Sequence, residues 1–185
     1  MTGRSHLPIV AIDGPAGSGK STIARLAALR TGLPFISSGA MYRAVALLAL
    51  RAGILVTERA KLIALAEALE PRFAMDDEGR ERVFLAGEEV TEALQQPAVA
   101  QMASAIAVIP ELRAQLVAKQ QAYGQRGGVV MEGRDIQTVV FPDADIKIFL
   151  FATPEERARR RWKELLAQGE AITYATVLDL SLIHI

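Results

Sequence analysis

The stretch Gly14-Pro15-Ala16-Gly17-Ser18-Gly19-Lys20-Ser21-Thr22 constrains this chain more than any other. It satisfies G-x-x-x-x-G-K-[ST], follows a β-branched apolar run from Pro8 to Asp13, and precedes a helix-forming segment from about Gly19 to Arg30. Strand, glycine-rich loop and helix in that order form a phosphate cradle. The glycines let backbone N–H groups curl round an anion, and the helix N-terminus adds its dipole. Lys20 can reach the β and γ phosphates, and the Ser21 hydroxyl can ligate Mg²⁺. A nucleoside triphosphate, ATP, is therefore the expected ligand, held by residues 14 to 22. A guanine-reading N-K-x-D element is impossible, because the chain has no asparagine. Kinases and ATPases remain.

The rest of the pattern gives the fold class. Leu33 to Ile36 reads as a second strand, and Gly39 opens an alanine-rich helix to about Gly53. Thr57 can cap a helix through Leu69, and Arg72 to Met75 with Arg82 to Leu85 flank the turn Asp76-Asp77-Glu78-Gly79 as a hairpin. Helices are expected from Pro97 to Ala107 and from Pro110 to Gln125, then strands from Val129 to Met131 and from Ile146 to Phe151, then a helix from Pro154. Strands separated by helices predict an α/β fold, a parallel sheet flanked by helices with ligands at the carboxyl ends of the strands.

Composition narrows the function. Twenty-one basic and 21 acidic residues cancel, and aromatics are 5% of the chain, so a nucleic-acid binder is not expected. Apolar residues reach 51%, enough for a core, yet the longest runs are too short to span a membrane. The absence of cysteine removes thiolate metal sites and thiol nucleophiles, and points to the cytoplasm. His6 and His184 stand at the extreme ends, which disfavours imidazole chemistry.

Two further clusters suggest an acceptor site. Ser37-Ser38-Gly39-Ala40-Met41-Tyr42-Arg43 follows the second strand, placing a hydroxyl and a guanidinium beside the phosphate loop. Glu132-Gly133-Arg134-Asp135 follows a later strand. By themselves these also fit a helix cap at Ser38 and a surface ion pair between Arg134 and Asp135. Four stretches together, Ile12 to Thr22, Ser38 to Leu47, Gly133 to Leu150 and Glu155 to Arg161, resemble bacterial cytidylate kinases. The resemblance runs to about residue 178. It implies a P-loop kinase fold with a small monophosphate-binding insert, about 57–110, containing the hairpin. It also implies transfer of the ATP γ-phosphoryl group to CMP or dCMP.

On that resemblance Ser38, Arg43 and Arg134 hold the acceptor phosphate, while Ser104, Arg113 and Asp135 read the cytosine. The chemistry agrees, since a carboxylate accepts from the exocyclic amine and a guanidinium donates to O2 or N3. From the residues alone, Ser104 and Arg113 would be exposed helix positions. Arg157 and Arg161 face either the ATP phosphates or solvent. Lys20, Arg43 and Arg134 supply charge, and Glu132 orders the metal's waters beside Ser21. The expected partners are small nucleotides acting on a monomer. Another small P-loop kinase, of shikimate or adenylate type, is the alternative, as is a nucleotide-binding module without turnover.

Three departures stand out against the resemblance. Ser37 replaces a usual aspartate, which predicts weaker metal affinity, and Gln137 stands where glycine is commonest. Leu180-Ser181-Leu182-Ile183-His184-Ile185 matches the translation of a transposon end used in sequencing libraries. Residues 1–179 are thus expected to be one kinase domain that stops before the family's arginine-rich lid and last strand and helix, with 180–185 a non-native tail. Poor activity is the corresponding expectation.

Overall fold

A computed structural model describes residues 7–183 apart from 126, 168 and 170, with side chains of 164 and 180–183 left aside. His6, His184 and the end of the expected tail lie outside the described residues. The central sheet contains β1 (Ile9–Asp13), β2 (Phe35–Ser37), β6 (Val129–Gly133) and β7 (Ile146–Phe149), all parallel, in the order β2-β6-β1-β7. The expected α/β architecture is present.

β1, β2 and β6 are covered on both faces, which is why they read as near-continuous apolar runs, while the edge strand β7 is largely exposed. Side-chain alternation divides them. Val10, Ile12, Phe35 and Val130 pack on Ala24 and Ala28 of α1 (Lys20–Thr31). Ala11, Ile36, Val129 and Met131 face Ile136, Val140 and Phe141, with Val117 and Tyr123 of α5 (Pro110–Gln125) beside them. Ile136–Val140 form a single turn of π-helix directly after β6, a feature often found at functional sites.

The second core lies around α2 (Ser38–Arg51). Met41, Val45 and Leu47 of α2 meet Leu62 of α3 (Arg59–Ala68), Val83 and Leu85 of β4 (Glu81–Leu85), Val99 and Ile106 of α4 (Pro97–Ile106), and Leu112 and Leu116 of α5. The hairpin is β3 (Pro71–Met75) with β4, as expected, and β5 (Glu88–Glu89) adds a short third strand. The link to β5 is Ala86-Gly87, with φ values of 48° and 87°. That tight turn went unread because alanine rarely takes positive φ.

Several boundaries move. The helix expected from Thr57 begins at Arg59 with Glu58 at its cap. Glu58 closes a turn with Leu55 through its own N–H and accepts the Leu55 N–H on its carboxylate at 2.9 Å, so the chain turns before it becomes helical. β2 starts two residues late because Leu33 and Pro34 lead into the sheet, Pro34 contributing only its carbonyl to Val130. β6 extends to Gly133 and β7 stops at Phe149, although Leu150 N–H still bonds to Asp13 O at 2.8 Å. Finally, α6 (Pro154–Ala167) and α7 (Tyr174–Ile183) pack together, with Trp162 donating to Ile172 O. The backbone of α7 continues through residues 180–183. Among the described residues, no helix is long and apolar enough to cross a membrane.

Candidate active site

The phosphate loop joins β1 to α1 at the carboxyl edge of the sheet. Gly17 and Gly19 take φ values of 76° and 93°, a region that L side chains rarely occupy, and Gly19 is the residue from which α1 starts. Lys20 Nζ lies 3.3 Å from Pro15 O and 3.8 Å from Glu132 Oε2. Burial pushes the Lys20 ammonium below its usual range; Glu132 and Asp13 oppose that fall, while Arg134 and Arg43 add to it. Ser21 and Thr22 are exposed at the first turn of α1, and Pro15, Ala16 and Ser18 complete the loop.

Helix α6 lies against this loop. Arg157 is buried and packs on Gly17, where a Cβ would stand 3.3 Å from the Arg157 Cβ. Arg161 is exposed. The arginine that reaches the loop backbone is Arg160, whose Nη1 donates to Gly17 O at 3.2 Å while its Nε donates to Glu156. Arg160 carried no signal of its own within the basic run.

At the end of β2 the Ser37 hydroxyl donates to Glu132 Oε1 at 2.7 Å, so position 37 holds the β6 carboxylate rather than adding a second one. Ser38 opens α2, and its hydroxyl sits so close to Gly133 that a Cβ there would lie 2.4 Å from it. This close approach explains glycine at the end of β6. Arg43, one turn further along α2, donates to Gln95 at 3.3 Å. Arg134 is exposed, and among the described residues it makes no hydrogen bond or ion pair that competes with an incoming anion.

Arg113 of α5 and Asp135 form an ion pair across 22 residues. Tyr42 lies within their field, although burial is the main reason its phenol is pushed up. Ser104 is exposed on α4, and its hydroxyl bonds back to Ala100 O at 3.0 Å rather than to the Arg113–Asp135 pair.

Residue-type patterns did not disclose Glu81. This β4 carboxylate crosses from the insert to accept the Ser37 N–H at 3.3 Å. Burial, reinforced by the Glu132 charge and opposed by Ser37, Arg25 and Arg43, pushes its pKa up to about 7. The carboxyl is therefore more easily protonated in the folded chain than in the unfolded one. Its contribution is fully present below about pH 4.5 and is lost as pH rises through about 7. Glu81→Gln should remove this loss, stabilising the protein at pH 8 by on the order of 2 kcal/mol relative to pH 5. Thermal melts of both proteins in chelator at the two pH values test this, and an identical gap at both would refute it.

Four buried side-chain polar atoms lack a hydrogen-bond partner among the described residues: Ser18 Oγ, Glu132 Oε2, Arg157 Nε and Gln120 Nε2. The first three belong to residues that form or adjoin the loop. Orphaned buried polar atoms are rare because they cost about 1–3 kcal/mol each, so their concentration marks a place built for a polar ligand.

A parallel sheet with this loop after its first strand, with Arg43, Arg113 and Arg134 clustered beyond it, marks the chain as a P-loop phosphotransferase. The family model for cytidylate kinase matches residues 10–181. The chain is 55% identical over 165 residues to the cytidylate kinase of Pelotomaculum thermopropionicum, covering 89% of this chain and 73% of that one. It is 48% identical to the cytidylate kinase of Desulfitobacterium hafniense, covering 91% and 72%, and 46% identical to that of Symbiobacterium thermophilum, covering 96% and 78%. The chain belongs to the cytidylate kinase family, and ATP is its co-substrate.

Proposed function

We propose that the protein transfers the γ-phosphoryl group of ATP to CMP or dCMP, with residues 14 to 22 as the ATP site and the α2, α5 and β6 cluster as the acceptor site. The observation that carries this reading is the set of orphaned polar atoms around the phosphate loop, together with a second cluster whose Arg134 is exposed and makes no hydrogen bond or ion pair among the described residues. Ser38, Arg43 and Arg134 hold the acceptor phosphate, with arginine serving as a fork for its oxygens. Arg113 pairs with one Asp135 oxygen, leaving the other carboxylate oxygen to accept from the cytosine amine; Ser104 completes that contact once its hydroxyl turns from Ala100.

No side chain need remove a proton ahead of transfer, because the transition state is loose and catalysis comes from alignment and charge neutralisation. Lys20 steadies the β and γ phosphates, and Arg157, whose Nε has no hydrogen-bond partner among the described residues, packs against the same loop. The residues present fit Mg²⁺, which takes few protein ligands and keeps water and phosphate oxygens: Ser21 offers a hydroxyl, and Glu132 an Oε2 that has the Lys20 ammonium 3.8 Å away but no hydrogen bond among the described residues, open to bound water. Bound Mg²⁺ supplies charge neutralisation on the phosphates.

The reading includes a monomeric cytoplasmic protein whose partners are nucleotides. ADP release measured with CMP, dCMP, UMP, AMP and shikimate tests it. CMP and dCMP should be the preferred acceptors; preference for AMP or shikimate would overturn the assignment, and ATP binding without any product would make this a nucleotide-binding module.

A further inference from the structure

Asp13 is the last residue of β1, immediately before the phosphate loop; its charge acts on Lys20, but among the described residues its carboxylate makes no hydrogen bond to a residue assigned to phosphate. It is 3% exposed. Its Oδ1 accepts the Ile136 N–H at 2.9 Å and its Oδ2 accepts the Gln137 N–H at 2.8 Å, across 123 and 124 residues. These amides open the π-helical turn. The first N–H groups of any helix lack partners within it, and a carboxylate placed there satisfies them and complements the helix dipole. Here the cap comes from a different strand.

The capped turn follows directly on Arg134 and Asp135, with Asp135 at its N-cap. The Asp135 carbonyl accepts from Val139 N–H at 2.9 Å and from Val140 N–H at 3.3 Å, so the backbone of Asp135 is fixed by the turn it starts. A second tie runs to β7, where Gln137 Nε2 donates to Ile148 O at 2.7 Å. The turn is thus clamped to β1 by a carboxylate and to β7 by an amide. Register agrees, since Asp13 pairs with Gly133 on one side and Phe149 on the other.

We infer that Asp13 is a positioning residue for base recognition: by capping the turn from the strand that carries the ATP loop, it sets where Asp135 and Arg134 stand relative to that loop. The inference rests on the assignment of Asp135 to cytosine. A buried carboxylate with both oxygens committed to backbone amides holds its two partners in one geometry. An asparagine there can accept only one of them and turns an N–H toward the other donor.

The test uses the full chain and equilibrium titration with CMP, UMP and ATP, alongside thermal melts. Asp13→Asn should weaken CMP at least tenfold, shrink the CMP-to-UMP preference at least threefold, and change ATP affinity less than threefold. Gln137→Ala, which leaves β1 untouched, should shift the preference the same way by a smaller factor. It also decides the matter if Asp13→Asn does not fold. In an Asp135→Asn background, Asp13→Asn should leave the residual preference unchanged, because residues acting through one contact are not additive. A role in stability alone would lower the melting temperature and weaken ATP and CMP alike, which would overturn the inference, as would an unchanged preference in the folded variants. Absence of any CMP preference in the unmutated protein would overturn the assignment of Asp135 itself.

Discussion

Lys20→Ala is expected to lower phosphoryl transfer by about 10² to 10³-fold, the scale set by removing one preorganised charge from a developing anion. The backbone cradle survives the substitution, since its shape comes from Gly17, Gly19 and the start of α1 rather than from the lysine. What disappears is the point charge, and with it the partner of Glu132, which lies 3.8 Å away and is 5% exposed. An uncompensated buried carboxylate destabilises the fold, so melting temperatures must accompany the kinetics. Lys20→Met keeps the apolar stem and separates the two effects. Both variants should lose Mg²⁺-dependent ATP affinity and ADP formation, whatever their stability. Unchanged ATP affinity and transfer in either variant would remove Lys20 from the site.

Legibility in the sequence followed the range of the interactions involved. The phosphate loop depends on contiguous residues, and its glycines, lysine and hydroxyls could be assigned directly. The parallel sheet was legible for a similar reason, because its buried strands β1, β2 and β6 are apolar nearly throughout and alternate with helical stretches. The arginines of α6 show the limit: helical spacing puts Arg157 and Arg161 one turn apart, yet the loop is met by Arg157 and Arg160, and Arg161 is exposed. Which face a charged helix turns inward depends on what it lands on. Glu81 and Asp13 were invisible for a stronger reason. Their partners lie 44 residues away in one case and more than 120 in the other, and an acid in a hairpin or at a strand end is ordinary until those partners are seen. Ser37 shows the same dependence on context, since its hydroxyl is committed to Glu132.

Asp135→Asn should relax the choice between cytosine and uracil. In the unmutated protein the carboxylate can only accept. It suits the amine of cytosine and repels the carbonyl that uracil presents at the same place. Arg113 pairs with one oxygen and leaves the other to face the base. An asparagine retains an acceptor for Arg113 while offering an N–H to the uracil carbonyl, so the loop geometry has no reason to change. The expected shift in relative CMP and UMP binding is ~1 to 3 kcal/mol, about 5- to 150-fold, the range of one or two polar contacts in a partly buried site. Part of the pair is exposed, with side-chain exposures of 40% and 29%, which favours the lower half of that range. Competitive titration of both monophosphates against both proteins gives the ratio directly, with ATP affinity as the internal control because the proposed role of Asp135 is in reading the acceptor base. Equal affinities for CMP and UMP before mutation, or an unchanged ratio after it, would show that another residue reads the base.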